Sequence, residues 1–456
     1  MKNHILSLSH LFSDQMSEDA VICMENNGTH VTWKTFKDDV SNFTTRIKEN
    51  KAKRWAIYCK DSYWFAVGLF ALFYAGCEPV LLPNWRKGTL ENHKNDFDKT
   101  IGDSGDELNI LLDPTAVSSD REKFPALDSE NIRLTIFTSG STGEPKKIVK
   151  KLIQLESEVC DLERLWGDKL DDSLILSTVS HQHIYGLLFR LLWPLAANRC
   201  FMREDISYPE QVIESVQNFD KTVLISSPAL LKRMFIKPDK QTDFHPPVMV
   251  FSSGGPLSFD AAQLCKESLD VWPVEVLGST ETGGVGWRQQ TPENGDKWRC
   301  FHNVKLSLSD EGRLIVQSPY LGDKTGFIMG DCASLIDDQY FELSGRADRI
   351  VKVEEKRISL VELEKTLDNS EWVNVSSVFM MNEAGRQIIA CVVVLSEAGQ
   401  QFLLDQGKRA IVDLLKAYLK QYFELIVIPR KFRFVDSLPY NSQGKLSQSD
   451  IKALFL

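Results

Sequence analysis

Residues 133–150 read RLTIFTSGSTGEPKKIVK. Arg133 to Thr138 have the apolar, β-branched and aromatic content of a strand, and they run directly into Ser139-Gly140-Ser141-Thr142-Gly143. Glycine reaches positive φ at no steric cost, so successive backbone N–H groups in such a loop can converge on one point. The hydroxyls add donors, and Lys146 and Lys147 add positive charge. Together they make a cradle for phosphate. The Walker spacing G-x-x-x-x-G-K-[ST] is not met: Gly143 falls inside the interval from Gly140 to Lys146, Pro145 precedes the lysine, and no hydroxyl follows it. Composition alone leaves a plain turn as the competing reading.

Working outward from this loop, short apolar runs alternate with longer segments of helical period. The runs are RWAIYC (54–59), PVLL (79–82), LNILL (108–112), SLILSTV (173–179), TVLISS (222–227) and VMVFSSGG (248–255). Strand, helix and strand in repetition predict layered α/β subdomains with largely parallel sheets. From Leu306 the texture changes to short strands and turns, with Asp310-Glu311-Gly312 as a hairpin turn, which predicts a β-rich subdomain. After Gly345 a small α+β unit begins. It comprises helix SLVELEKTLDN (359–369), strands VSSVFMM (375–381) and QIIACVVVL (387–395), a helix around Lys408 to Phe423 and a last strand KFRFV (431–435). The expected domains are therefore 1–345 and 346–456.

At 456 residues the chain exceeds what one hydrophobic core usually organises. Its net charge of -10 argues against a nucleic-acid partner, which would need clustered Lys and Arg. Residues 346–456 carry 16 Lys and Arg against 14 Asp and Glu, so a mildly basic tail follows an acidic body. The nine cysteines include no CxxC pair, the usage of a reducing compartment, and a cytoplasmic protein is expected. The N-terminal MKNHILSLSHLFSDQ reads as mature protein rather than as a targeting signal. WFAVGLFALFYAGC, Trp64 to Cys77, is the most lipid-like segment, but fourteen residues fall short of the roughly 20 that span a bilayer. A buried core helix is expected there.

TSGSTGEPK (138–146), LGSTETGG (277–284), GD (330–331), GRADRIVKVEEKRI (345–358) and LPYNSQGK (438–445) follow one another along the chain. In this order they resemble the motifs of the adenylate-forming superfamily, which includes acyl- and aryl-CoA synthetases, nonribosomal adenylation domains and beetle luciferases. The resemblance implies a large N-terminal domain and a small mobile C-terminal domain. It also implies a two-step reaction, in which a carboxylate attacks the α-phosphate of ATP to give acyl-adenylate and pyrophosphate, and a thiol then takes the acyl group.

By this resemblance Thr138, Ser139, Gly140, Ser141, Thr142, Gly143 and Lys146 wrap the β- and γ-phosphates. Thr280 meets the α-phosphate beside Gly278, and Glu281 holds Mg²⁺. Asp331 accepts the ribose hydroxyls and Arg346 donates to ribose or phosphate. Asp348 is the hinge, and Lys445 is the lysine that reaches the reacting oxygens during adenylation. His183, in the segment SHQHIYGLLF, gates the carboxylate with Tyr185, and Gly186, Gly254, Gly255 and Gly283 complete the acyl pocket. His181 and His183 would share a face if they lay on a strand, but no third metal ligand accompanies them.

Two positions depart from the family pattern. Leu277 stands where an aromatic usually stacks on adenine, and Glu355 stands where a glycine usually lines the pantetheine tunnel. The compact body is similar to short stand-alone ligases of aryl-polyene pathways, which implies an aryl or short acyl acid, such as a hydroxybenzoate, loaded onto an acyl carrier protein or CoA. An ATP-binding regulatory homologue that no longer turns over and a luciferase-like oxidase are the alternatives.

Overall fold

The computed structural model describes residues 5–13, 16–25, 27–104, 108–113, 124–138, 146–234, 244–322, 325–353, 356–383, 386–423, 425–440, 446 and 448–455. The chain divides into two compact units. One is Met1–Leu306 with Val316–Phe327 and Asp338–Tyr340; the other is Ser307–Ile315 with Ile328–Asp337 and Phe341–Leu456.

The first unit is a layered α/β body, as its alternating pattern predicts. A six-stranded sheet runs in the order Ile110–Leu111, Lys99–Gly102, Arg54–Tyr58, Glu78–Leu81, Arg133–Thr138 (β1) and Lys146–Lys151 (β2). All neighbours are parallel except β1 and β2, which form an antiparallel pair at the edge. In a second sheet Phe201–Met202, Leu174–Ser177, Thr222–Ser226, Met249–Ser252 and Val274–Ser279 (β3) lie side by side, all parallel. Strand Gly283–Arg288 (β4) then pairs antiparallel with β3.

The apolar run at Trp64 is helix Ser62–Tyr74, of which twelve of thirteen residues are buried. Asp61 caps it by accepting the N–H groups of Tyr63 and Trp64 at 2.8 and 3.2 Å. A helix that is hydrophobic all round has no solvent face to present, so it serves as the inner layer of the core. Among the described residues no helix is long and apolar enough to cross a membrane.

Helix Leu152–Leu170 (α1) follows β2 without a linker. The Lys151 N–H donates to Oε1 of Gln154 at 2.7 Å, closing the first turn. Leu155, Val159, Leu162 and Trp166 give the helix an apolar face, yet Gln154, Glu158 and Asp161 are buried too. The partners of those three decide what this helix does.

In the second unit Phe327–Leu335 (β5) and Tyr340–Arg346 (β6) pair antiparallel, with Asp331 opposite Arg346. The expected turn at Asp310–Gly312 is present: Gly312 has φ +75°, and its N–H donates to the Ser309 carbonyl at 2.9 Å. Val373–Glu383 (β7), Arg386–Leu395 (β8) and Lys431–Phe434 form a three-stranded sheet. Alternate residues of β8 enter two different clusters: Ile389, Cys391 and Val393 pack with helices Leu360–Asp368 and Glu397–Leu419, while Ala390, Val392 and Val394 pack with Phe379, Leu438 and Ile451. Burial on both faces is why β8 reads as an unbroken apolar run. The helix expected around Lys408 begins earlier, at Glu397. It is two helical stretches joined at Gly407, where φ 82° and ψ 169° are open to glycine.

Candidate active site

The glycine-rich stretch Ser139, Gly140, Ser141, Thr142 and Gly143 lies outside the described residues, as do Glu355 and Lys445. The flanks of the glycine loop are described. Thr138 ends β1 and Lys146 begins β2, and the two residues are register partners across the antiparallel pair. The loop therefore departs from and returns to one sheet edge. Lys147 is held sideways by Asp96 at 3.1 Å, so of the two lysines Lys146 is the one whose side chain is exposed beside the loop without that pairing.

Thr280 and Glu281 occupy the tip of the β3–β4 hairpin. Ser279 pairs with Gly283 in register, and the hydroxyls of Ser279 and Thr282 close the turn. The Ser279 N–H donates to Thr282 Oγ1, and the Thr282 N–H donates to Ser279 Oγ, both at 3.1 Å. Gly278 lies tight against the opposite strand, where an added Cβ would stand 2.5 Å from the Gly283 carbonyl oxygen. Leu277 lies on β3 beside the register shift that bends the strand into this tip.

The two hairpins are joined by residues whose roles the motif reading did not anticipate. Lys150, on β2 four residues beyond Lys146, is buried, and its Nζ donates to the carbonyl of Glu281 at 2.8 Å and to that of Tyr320 at 3.0 Å. Glu158 of α1 accepts the Gly284 N–H at 2.6 Å. Gln154 donates to the same Tyr320 carbonyl at 2.8 Å, while Asp161 accepts the Tyr320 hydroxyl and, at 2.7 Å, the Asn303 amide. Burial pushes the Lys150 ammonium down and the Glu158 carboxyl up to about 7, and the charge of each works against the other's shift. The spacing 154, 158 and 161 is a stripe on helix α1, a signal present in the sequence but readable there only as a solvated polar face, while Lys150 joins it from the preceding strand.

His181 and His183 lie in a loop after Leu174–Ser177, not on a strand, so they share no sheet face. His181 is in the core, with Nε2 2.9 Å from the Cys59 carbonyl and its ring centroid 4.6 Å from that of Phe65. Burial holds its pKa well below the usual imidazole range. His183 is half-buried and precedes the short helix Ile184–Gly186. Tyr185 points its ring to Phe189 at 4.8 Å, and Phe189 meets Phe251 at 5.2 Å, so an aromatic cluster backs this segment. Added side chains at Gly254 and Gly255 would meet open space. Gly186 and Gly283 instead pack against protein: Gly186 against the Ser180 backbone, and Gly283 against Glu158 and Tyr320.

In the second unit Asp331 and Arg346 approach to 3.6 Å. An added Cβ at Gly330 would lie 2.6 Å from Nη2 of Arg346, so the glycine gives the guanidinium its place. Asp348 lies in the single 3₁₀ turn Ala347–Arg349 that follows β6. Leu446, the residue after Lys445, forms an antiparallel bridge with Tyr440. Among the described residues no group of three His, Cys, Asp or Glu forms a metal site by itself.

A family model described as AMP-binding enzyme matches residues 12–313. The chain belongs to the AMP-binding enzyme family. It is thus an ATP-dependent, AMP-forming acid–thiol ligase. Among curated relatives, the D-alanine–D-alanyl carrier protein ligase of Staphylococcus haemolyticus is 26% identical over 94% of this chain and 95% of its own. The ligase of the same name from Staphylococcus aureus strain RF122 is 23% identical at the same coverage. Among solved structures, ATP-bound MatB from Rhodopseudomonas palustris has a TM-score of 0.83 at 16% identity, covering 99% of both chains. A benzoate CoA ligase from Burkholderia xenovorans LB400 has 0.75 at 17%, covering 97% of this chain and 99% of that one. These structures share the fold: mixed α/β, with a large N-terminal and a small C-terminal domain.

Proposed function

We propose that this ligase activates an aryl or short acyl acid, such as a hydroxybenzoate, and loads it onto the phosphopantetheine thiol of an acyl carrier protein in the cytoplasm, in a pathway of the aryl-polyene type. The acid's carboxylate oxygen bonds to the α-phosphorus of ATP and pyrophosphate leaves; the thiol then attacks the acyl carbon and AMP leaves. The observation that carries this reading is the Lys150–Glu281 hydrogen bond, which ties the strand leaving the glycine-rich loop to the tip bearing Thr280 and Glu281.

In this reading residues 139–143 with Thr138 and Lys146 hold the leaving pyrophosphate, and Thr280 and Gly278 hold the α-phosphate. Asp331 and Arg346 take the ribose. Lys445 brings its charge to the reacting oxygens from a lid, residues 346–456, that turns at Asp348. Glu281 suits Mg²⁺, a hard cation that takes one carboxylate together with phosphate oxygens, and the half-buried tip offers such a carboxylate. When bound, the ion would neutralise phosphate charge. His183 and Tyr185 would border the acid, with the aromatic cluster behind them and the open sides of Gly254 and Gly255 giving room for a flat group. Gly186 and Gly283 would contribute backbone only.

The carrier protein as acceptor is supported by the relatives' names, and the cytoplasm by nine free thiols. The same relatives favour D-alanine as a second candidate acid. Carboxylate-dependent pyrophosphate exchange with benzoate, 4-hydroxybenzoate, short fatty acids and D-alanine decides among them. Exchange with none of them would overturn the aryl or short acyl acid, and exchange with D-alanine alone would replace it.

A further inference from the structure

A hairpin tip that carries a phosphate-binding hydroxyl and a metal-binding carboxylate is useful only if its backbone is fixed, because the direction of a Cα–Cβ bond follows from the peptide planes on either side. The tip 280–284 is gripped at two points from outside its own hairpin: the Glu281 carbonyl by the Lys150 ammonium, and the Gly284 N–H by the Glu158 carboxylate. Both grips are charge-assisted and both are buried. Lys150 lies on the strand that begins with Lys146, two pleats away on the same face. One rigid strand therefore sets the distance between the lysine beside the glycine-rich loop and the carbonyl of Glu281.

Packing alone does not account for the pair. Buried opposite charges are often matched or surpassed in stability by apolar residues of the same volume, so charge here needs another reason. Gln154 and Asp161, on the same helix, already anchor Tyr320. Lys150 also donates to the Tyr320 carbonyl, but what it and Glu158 add beyond those anchors is the hold on the tip.

We propose that Lys150, together with the buried Glu158, is a positioning residue for adenylation that orients the Thr280–Gly284 tip relative to the strand that Lys146 begins. It rests on the reading of Glu281 as the Mg²⁺ carboxylate. Removing the donor frees the Glu281 peptide, so Glu281 meets the metal in more than one orientation and the gain in nucleotide affinity on adding Mg²⁺ shrinks.

The test uses the full chain and three variants: Lys150→Met with Glu158→Gln, which removes both charges together; Gln154→Met, which loosens Tyr320 only; and Glu281→Gln. The dissociation constant of ATP is measured by calorimetry with and without Mg²⁺, and hydrogen exchange is followed in the peptide spanning 280–286. For the double variant the Mg²⁺-dependent tightening should fall about tenfold, the size of one lost charge-assisted hydrogen bond. Metal-free ATP binding should weaken less, by about threefold, the smaller loss expected of the neutral Thr280 hydroxyl carried on the same tip. Exchange should quicken in the 280–286 peptide and, within the first unit, otherwise only around Tyr320, which Lys150 also holds. Gln154→Met should leave the Mg²⁺ effect intact. A double variant with the wild-type Mg²⁺ effect overturns the proposal, as does loss of protection throughout the unit, which would assign Lys150 to stability only. If Glu281→Gln itself leaves the Mg²⁺ effect unchanged, the metal reading fails, and this inference falls with it for that separate reason.

Discussion

The carboxylate of Asp331 and the guanidinium of Arg346 face each other across two antiparallel strands, 3.6 Å apart, with the acid largely covered and the arginine half exposed. A carboxylate offers two acceptor oxygens, enough for a vicinal diol, and the neighbouring guanidinium orients it. Asp331→Ala should weaken ATP binding about 10- to 100-fold, the range for losing hydrogen bonds to a charged group. Calorimetric titration with ATP and with 2′,3′-dideoxy-ATP checks it: the variant should lose most of the discrimination between the two.

Lys445→Ala should cut carboxylate-dependent pyrophosphate exchange by about a thousandfold while leaving thioester formation from preformed acyl-adenylate within a few-fold of wild type. Equal loss in both half-reactions would remove the division of labour assigned to the C-terminal lid.

Glu158 makes stability depend on pH. Its folded pKa, raised by burial from 4.5 to about 7, lies above the unfolded value, so the native state binds more protons in that window. Stability from this group is fully present below pH 4.5 and declines as pH rises toward 7, by about 3 kcal/mol at most. Lys150 and the Gly284 amide face it and favour its charged form, whereas the nearby Asp161 opposes it. Urea midpoints at pH 5 and pH 8 should differ in that sense, and Glu158→Gln should flatten the difference.

Gly283→Ala should destabilise the first unit by about 2 kcal/mol or more, from positive-φ strain plus overpacking. Its φ is +68°, and the new methyl would stand 2.5 Å from Glu158 Oε2 and 3.1 Å from Tyr320 Cβ. Gly295→Ala, with φ +58° and open space around it, should cost about 1 kcal/mol from strain alone. Thermal melts of the two variants side by side separate strain from collision.

The alternating apolar runs announced the parallel strands because period and burial coincide there, and β8 was readable for the same reason on two faces. The ordered motifs led to the family. What stayed hidden was the α1 stripe: Gln154, Glu158 and Asp161 have the spacing of a solvated helix face, and only their contacts with Tyr320 and Gly284 turn that face inward. The place of the histidines was hidden too: the turn from Ser180 to His183 sends His181 into the core, with Nε2 against the Cys59 carbonyl. Glycine identity was also ambiguous, since Gly254 borders open space while Gly283 makes room for a neighbouring carboxylate.

The reciprocal hydroxyl bonds between Ser279 and Thr282 close the β3–β4 tip using groups of the tip itself. A nucleotide held there as proposed would meet a segment that is already in shape, and the entropy lost on association would fall elsewhere in the chain. Differences in nucleotide affinity among variants of this tip should therefore emerge in how long the complex lasts rather than in how quickly it forms.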